Sequence, residues 1–138
     1  MPFYKRSEME VANLSAQPMG KFQGLAGELM KVGFATYEKG KISRPHFHPN
    51  EEQFIYIVEG RQYMVLGEEE GIIGPGDLVH IPRNTKHAGI IIDERVVMFA
   101  AKSPSGNGNL AQDHNDAEDA DEITAHLKAK YEEYTKAD

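Results

Sequence analysis

Between residues 22 and 102 the chain alternates short apolar runs with clusters of glycine, proline, asparagine and charge. Residues 29–37, 53–58, 62–66, 78–81, 88–92 and 96–101 are each strand-length and rich in β-branched or aromatic side chains. The segments between them, such as 38–41, 59–61, 67–71, 74–77 and 82–84, carry turn residues. The stretch Glu68, Glu69 and Glu70 reads as a solvated hairpin turn. Strands at this spacing, with no long helical pattern among them, predict an all-β sandwich or barrel.

After a loop at 103–109 the pattern changes period. Ile123, Leu127 and Tyr131 fall at i, i+4 and i+8, with Tyr134 at i+11. That spacing predicts one apolar stripe on a helix of about four turns. Asn115 or Asp116 is placed to cap it. The stripe is expected to dock on the barrel or on a partner subunit. The chain therefore divides into a β-barrel domain, 1–102, and a loop with a helix, 103–138, that is not a separate domain.

Charge follows the same division. The whole chain has 15 Lys+Arg against 22 Asp+Glu, a net charge of −7. Residues 113–138 hold 9 acids and 3 bases, leaving 13 acids and 12 bases for 1–112. The tail thus carries −6 and the body −1. Residues 113–121 lack the central glycine and terminal glutamate spacing of an EF-hand and read as a solvated acidic cap. His114 and His126 read as exposed tail residues.

Composition removes several function classes. With no cysteine there is no disulfide, thiolate metal site, iron–sulfur ligation or cysteine nucleophile. The acidic balance argues against nucleic acid and anionic membrane as partners. The longest clean apolar run, 96–101, is far short of the roughly 20 residues of a membrane span. Residues 1–11 are mixed and charged, with no signal-peptide core. A cytoplasmic protein is the expectation.

The candidate chemistry is concentrated in residues 40–53. His46 and His48 stand two apart, and on a strand such residues project to one face, so two imidazoles converge as a metal needs. A third histidine, His87, follows a Pro82-Arg83-Asn84 turn leading out of a strand.

The combined pattern resembles the cupin superfamily. Its first motif, G-x5-H-x-H-x3–4-E-x6-G, is met by Gly40, His46, His48, Gln53 or Glu52, and Gly60. Its second, G-x5-P-x-G-x2-H-x3-N, is met by Gly76, Pro82 and His87, with Asn84 in place of the glycine and Ile91 in place of the asparagine. The resemblance implies a double-stranded β-helix, a jelly-roll barrel with a C-terminal helix here, and a divalent metal held by His46, His48, His87 and a fourth ligand. The six-residue spacing back from Gly60 selects Gln53, with Glu52 as the alternative. Strand alternation places Gln53, Ile55 and Ile57 on one face and Glu52, Phe54 and Tyr56 on the other. Three neutral histidines and a glutamine leave a divalent site at +2, suited to an anionic ligand. Nitrogen and oxygen donors suit Mn, Fe, Co, Ni or Zn.

The expected function is non-redox Lewis-acid chemistry, of isomerase, cyclase or lyase type, on a small anionic oxygenated metabolite such as a sugar acid. Gln-containing sites of this kind resemble those of uronate-ketonising and polyketide-cyclase cupins. A cupin dioxygenase and a non-catalytic small-molecule-binding cupin are the alternatives. Arg44 shares parity with His46 and His48 and is a candidate for meeting a carboxylate. Tyr63, His80 and Lys102 are candidate acid/base groups by inward parity, although for His80 the apolar strand around it favours a satisfied core histidine. The resemblance also implies a homodimer.

Overall fold

The computed structural model of the chain describes residues 3–13, 20–108 and 112–136. The period-2 alternation of 53–58 is expressed directly in the strand that contains it. Gln53, Ile55 and Ile57 turn inward and are buried, while Phe54 and Tyr56 face outward at 42% and 45% exposure. Each of the six expected apolar runs becomes a strand.

The strands are β1 (Ala12–Asn13), β2 (Gly20–Ala26), β3 (Lys31–Glu38), β4 (His46–Phe47), β5 (Glu52–Glu59) and β6 (Gln62–Leu66). They continue with β7 (Glu69–Ile73), β8 (Leu78–Ile81), β9 (His87–Ile91), β10 (Arg95–Ser103) and β11 (Asn115–Asp116), and the chain ends in α1 (Ala120–Thr135). One sheet has the order β1-β2-β3-β10-β5-β8 and the other β11-β4-β9-β6-β7. All pairings are antiparallel. The two facing antiparallel sheets are the jelly roll expected from the sequence.

The main core lies between the sheets and includes Phe22, Ala35, Ile55, Ile57, Ile81, Ile91, Val96 and Met98. A second cluster lies on the outer face of the five-stranded sheet. There Ile123 and Leu127 of α1 cover Tyr63, Val65, Ala88, Ile90 and Ile92. The predicted stripe therefore docks on the barrel of its own chain. β9 is buried along its whole length because its two faces serve the two clusters.

Two turn residues explain parts of the motif. Gly60 closes β5 to β6 at φ 79°, and a Cβ there would lie 1.9 Å from the Arg95 carbonyl oxygen. Asn84, where the family pattern has glycine, sits at φ 62°. Asparagine is among the few side chains that adopt this left-handed conformation readily, so the substitution keeps the turn.

Two local expectations are corrected. The turn after β6 is made by Gly67 and Glu68, while Glu69 and Glu70 enter β7. Glu70 accepts a hydrogen bond from the Tyr63 hydroxyl at 3.1 Å and holds His126 at 2.9 Å. The helix begins at Ala120 after Asp119, because Asn115 and Asp116 pair with Phe47 and His46 as β11 instead of capping. No described helix is long and apolar enough to cross a membrane.

Candidate metal centre

Backbone pairing creates the triad. His46 on β4 and His87 on β9 are directly opposite in the antiparallel ladder, and their ring centroids are 4.3 Å apart. His48 follows β4 and is fixed by its own backbone, whose carbonyl accepts from the Asn84 N–H at 2.7 Å. Its ring centroid is 4.9 Å from that of His46 and 5.2 Å from that of His87. One ring nitrogen of each histidine lies within 4.8 Å of the others, and all three residues are buried.

Each imidazole is oriented by a backbone carbonyl. His46 Nδ1 donates to Arg44 O at 2.7 Å, His48 Nδ1 to Asp113 O at 3.0 Å and His87 Nδ1 to Thr85 O at 3.0 Å. A carbonyl oxygen can only accept, so each Nδ1 carries its proton and each Nε2 presents a lone pair. This is the outer support that metal-binding histidines use. Burial, with the neighbouring positive groups, pushes the imidazoles far below their ordinary pKa, to about 2 for His46, 3 for His48 and 4 for His87. Near neutral pH all three are uncharged, the state a metal requires.

Two buried polar atoms facing this region have no hydrogen-bond partner: His48 Nε2 and Gln53 Oε1. Orphaned lone pairs of this kind are costly unless something accepts them. A divalent metal fits this set of nitrogen and oxygen donors. Gln53 lines the same cavity as the three histidines. Glu52 instead points outward, where its carboxylate meets His80 Nε2 at 2.7 Å.

Of the remaining candidates, only Lys102 enters the cavity. It pairs across the sheet with Gln53 on one side and Lys31 on the other. Burial lowers its ammonium to about 8, with the Glu51 carboxylate acting in the opposite direction. Arg44 stands outside, bonded to Asp116 at 2.9 Å, because β4 begins only at His46 and strand parity does not extend back across Pro45. Tyr63 alternates with Gln62 and Met64, so it faces α1, where burial and Glu70 push its hydroxyl up to about 12. His80 alternates with the buried Val79 and Ile81 and lies on the outer face, stacked on Phe54 at 4.5 Å. It is neither a cavity residue nor a core residue.

Four residues that the sequence pattern does not place here also belong to this region. Glu51, 2% exposed, forms an ion pair with the equally buried Lys31. Alternation offered a signal for Lys31, which shares the inward face of β3 with Ala35 and Tyr37. The other two come from the tail. Asp113 is held by the Asn50 N–H at 2.6 Å and the Asn50 side-chain amide at 2.8 Å. His114 is half-buried, lines the cavity and stacks on His46 at 4.0 Å and 17°. The segment read as a solvated acidic cap is thus stitched into the site, because β11 pairs with β4 and carries it there.

The model of the cupin domain family matches residues 33–101. Over 68 residues the chain is 29% identical to the pectin degradation protein KdgF of Dickeya dadantii (strain 3937), covering 49% of this chain. The chain spans 62% of the length of that curated relative. The solved structure of the polyketide cyclase RemF from Streptomyces resistomycificus superposes with a TM-score of 0.72 at 19% identity, covering 95% of this chain and 97% of that one. KdgF from Halomonas sp. superposes with a TM-score of 0.71 at 19% identity, covering 78% and 97%. At such identities the structural likeness shows the fold alone.

Proposed function

Because the chain belongs to the cupin domain family, we propose that its histidine cluster is a catalytic metal centre acting without redox change on a small anionic oxygenated metabolite. The ligands are His46, His48 and His87, with Gln53 as the fourth. The observation that carries this reading is the pair of orphaned buried atoms, His48 Nε2 and Gln53 Oε1, beside two imidazoles whose Nδ1 protons are already committed. A divalent ion of the Mn, Fe, Co, Ni or Zn group, bound there, polarises a substrate oxygen and stabilises negative charge developing on it.

The chain's own residues supply the rest. Four neutral ligands leave the full double positive charge at the site, so an anion is favoured over a neutral molecule. The Lys102 ammonium adds a further positive charge on the same side of the cavity. It pairs with a carboxylate and, with a pKa near 8, exchanges a proton close to physiological pH. The Lys31–Glu51 pair is internally neutral and leaves this balance unchanged.

The reading includes a homodimer. It is supported by the outward row Phe54, Tyr56, Val58 and Leu78 on β5 and β8, which is 42%, 45%, 44% and 66% exposed. Sedimentation of the purified chain at monomer mass overturns that part.

The deciding experiment measures metal content and turnover together. Wild-type protein is expected to hold stoichiometric metal, and His46→Ala and His87→Ala to lose it. Full metal in both variants overturns the site. Turnover of a hydroxy or unsaturated acid under anaerobic conditions supports the non-redox reading. Oxygen consumption by bound iron moves the assignment to a dioxygenase, and a ligand recovered unchanged moves it to a binding protein.

A further inference from the structure

Resting on that metal centre, we propose that the ligand is a short-chain carboxylate with an apolar body, an aliphatic 2-oxo or enol acid, in place of a polyhydroxylated sugar acid. Two independent observations carry this: what the cavity walls offer and how much room they enclose.

Beyond the histidines and Gln53, the walls are formed largely by Phe22, Ala35, Ile55, Met64, Ile91 and Met98. Two polar side chains among the described lining residues are already engaged. Ser43 Oγ accepts from the Gly89 N–H at 2.9 Å, and Lys31 is held by Glu51. Gln62 on β6 and the Tyr37 hydroxyl on β3 are the neutral polar side chains left, fewer than the hydroxyls of a sugar acid. A sugar acid would bring several hydroxyls into this space. Each one stripped of water without a partner lowers affinity by about tenfold. The strand that lines the site with Lys102 presents Met98 and Ala100 inward, which offer a hydroxyl nothing to bond.

Size gives the same answer. The cavity offers about 110 Å³ and is partly open to solvent, so it bounds the buried part of a ligand. An apolar cavity of roughly 150 Å³ is filled by a benzene molecule. A pyranose acid has about twice as many heavy atoms as benzene, whereas a branched acid of a few carbons is only slightly larger than benzene. The anionic end belongs at the positive pole formed by the metal site and Lys102, and the carbon body belongs among Ile55, Met64 and Met98.

The test uses full-length protein loaded with cobalt(II), whose visible absorption reports the centre directly, and two probes of equal charge, 3-methyl-2-oxobutanoate and D-galacturonate. The first is expected to change the cobalt spectrum and to bind at least tenfold more tightly by calorimetry. Met98→Gln, a polar replacement of similar length, is expected to narrow that ratio while leaving cobalt content unchanged. Galacturonate binding as tightly as the oxo acid, or a ratio indifferent to Met98→Gln, overturns the ligand class while the cobalt spectrum still supports the metal centre. Failure to take up cobalt overturns the metal centre, and the ligand class falls with it.

Discussion

His48 and Asp113 are 65 residues apart in sequence and joined at the candidate metal site, where His48 Nδ1 donates to the Asp113 carbonyl at 3.0 Å. The same residue's carboxylate accepts from the Asn50 N–H and side-chain amide, so Asp113 sets both the ring of His48 and the loop beyond it. The tail around it is anchored by Arg44–Asp116 at 2.9 Å and by the Ala117 N–H on Pro45 O at 2.9 Å. Both anchors grip the chain immediately before His46.

From this relationship Asp113→Ala is expected to keep the fold and weaken metal binding by about 10–100-fold, the usual effect of losing support around a metal-binding histidine. Competition with a chromogenic chelator measures it. Unchanged affinity would mean that the Asp113 side chain does not position the ligand.

The helix is a third anchor of that tail. Leu127 is fully buried between α1 and the outer face of β6 and β9. Leu127→Ala is expected to cost about 2–5 kcal/mol by urea denaturation, through lost burial and the cavity left behind. The cluster it packs in contains none of the proposed metal ligands, so loss of metal under conditions where the variant is still folded would show the helix acting through residues 113–116. A chain ending at Ser103 exposes Tyr63, Val65 and Ile90 and is expected to melt well below the full chain. An equal melting temperature would remove the helix from the account.

Gln53→Glu is expected to retain the metal and bind anions at least tenfold more weakly, since it lowers the site's charge by one at contact distance. Calorimetry with the same carboxylate on both proteins makes the comparison. Equal affinity would show that the charge at position 53 does not set ligand preference.

What the sequence revealed, and what it did not, follows from the range of each signal. The period-2 pattern is local, so it correctly turned Gln53 inward and Glu52 outward, and it located six strands. The same rule failed for Arg44 because that residue precedes the strand, where alternation has no meaning. It failed for Tyr63 because both faces of β6 are buried, and burial alone does not tell the cavity side from the helix side. His80 lies outside because its neighbours Val79 and Ile81 take the inner face of β8. Asp113 and His114 reach the site through β11, a pairing of only two residues that leaves almost no periodic trace.

The buried Lys31–Glu51 pair predicts a characteristic pattern of stability. Removing one partner strands the other charge away from water, so Glu51→Ala or Lys31→Met alone is expected to cost about 3–5 kcal/mol. Removing both together is expected to cost less than the sum of the two single changes. Denaturant titrations of the four proteins close the cycle. Simple additivity would show that the two side chains do not depend on each other.

Acid should destabilise the metal-free protein before its carboxylates titrate. His46, His48 and His87 have folded pKa values near 2, 3 and 4, all below the ordinary 6.5. As pH falls below about 6.5 the unfolded chain takes up protons on these residues and the folded chain does not. Their contribution is therefore fully present above pH 6.5 and is lost progressively as pH falls toward the folded values. Between pH 7.5 and pH 5 the urea midpoint is expected to drop, and His87→Ala is expected to flatten the slope. In the folded protein these imidazoles stay unprotonated across this interval, so metal loading is expected to raise the midpoint without steepening its fall. A midpoint independent of pH across this interval would mean that the three imidazoles are not held neutral by burial.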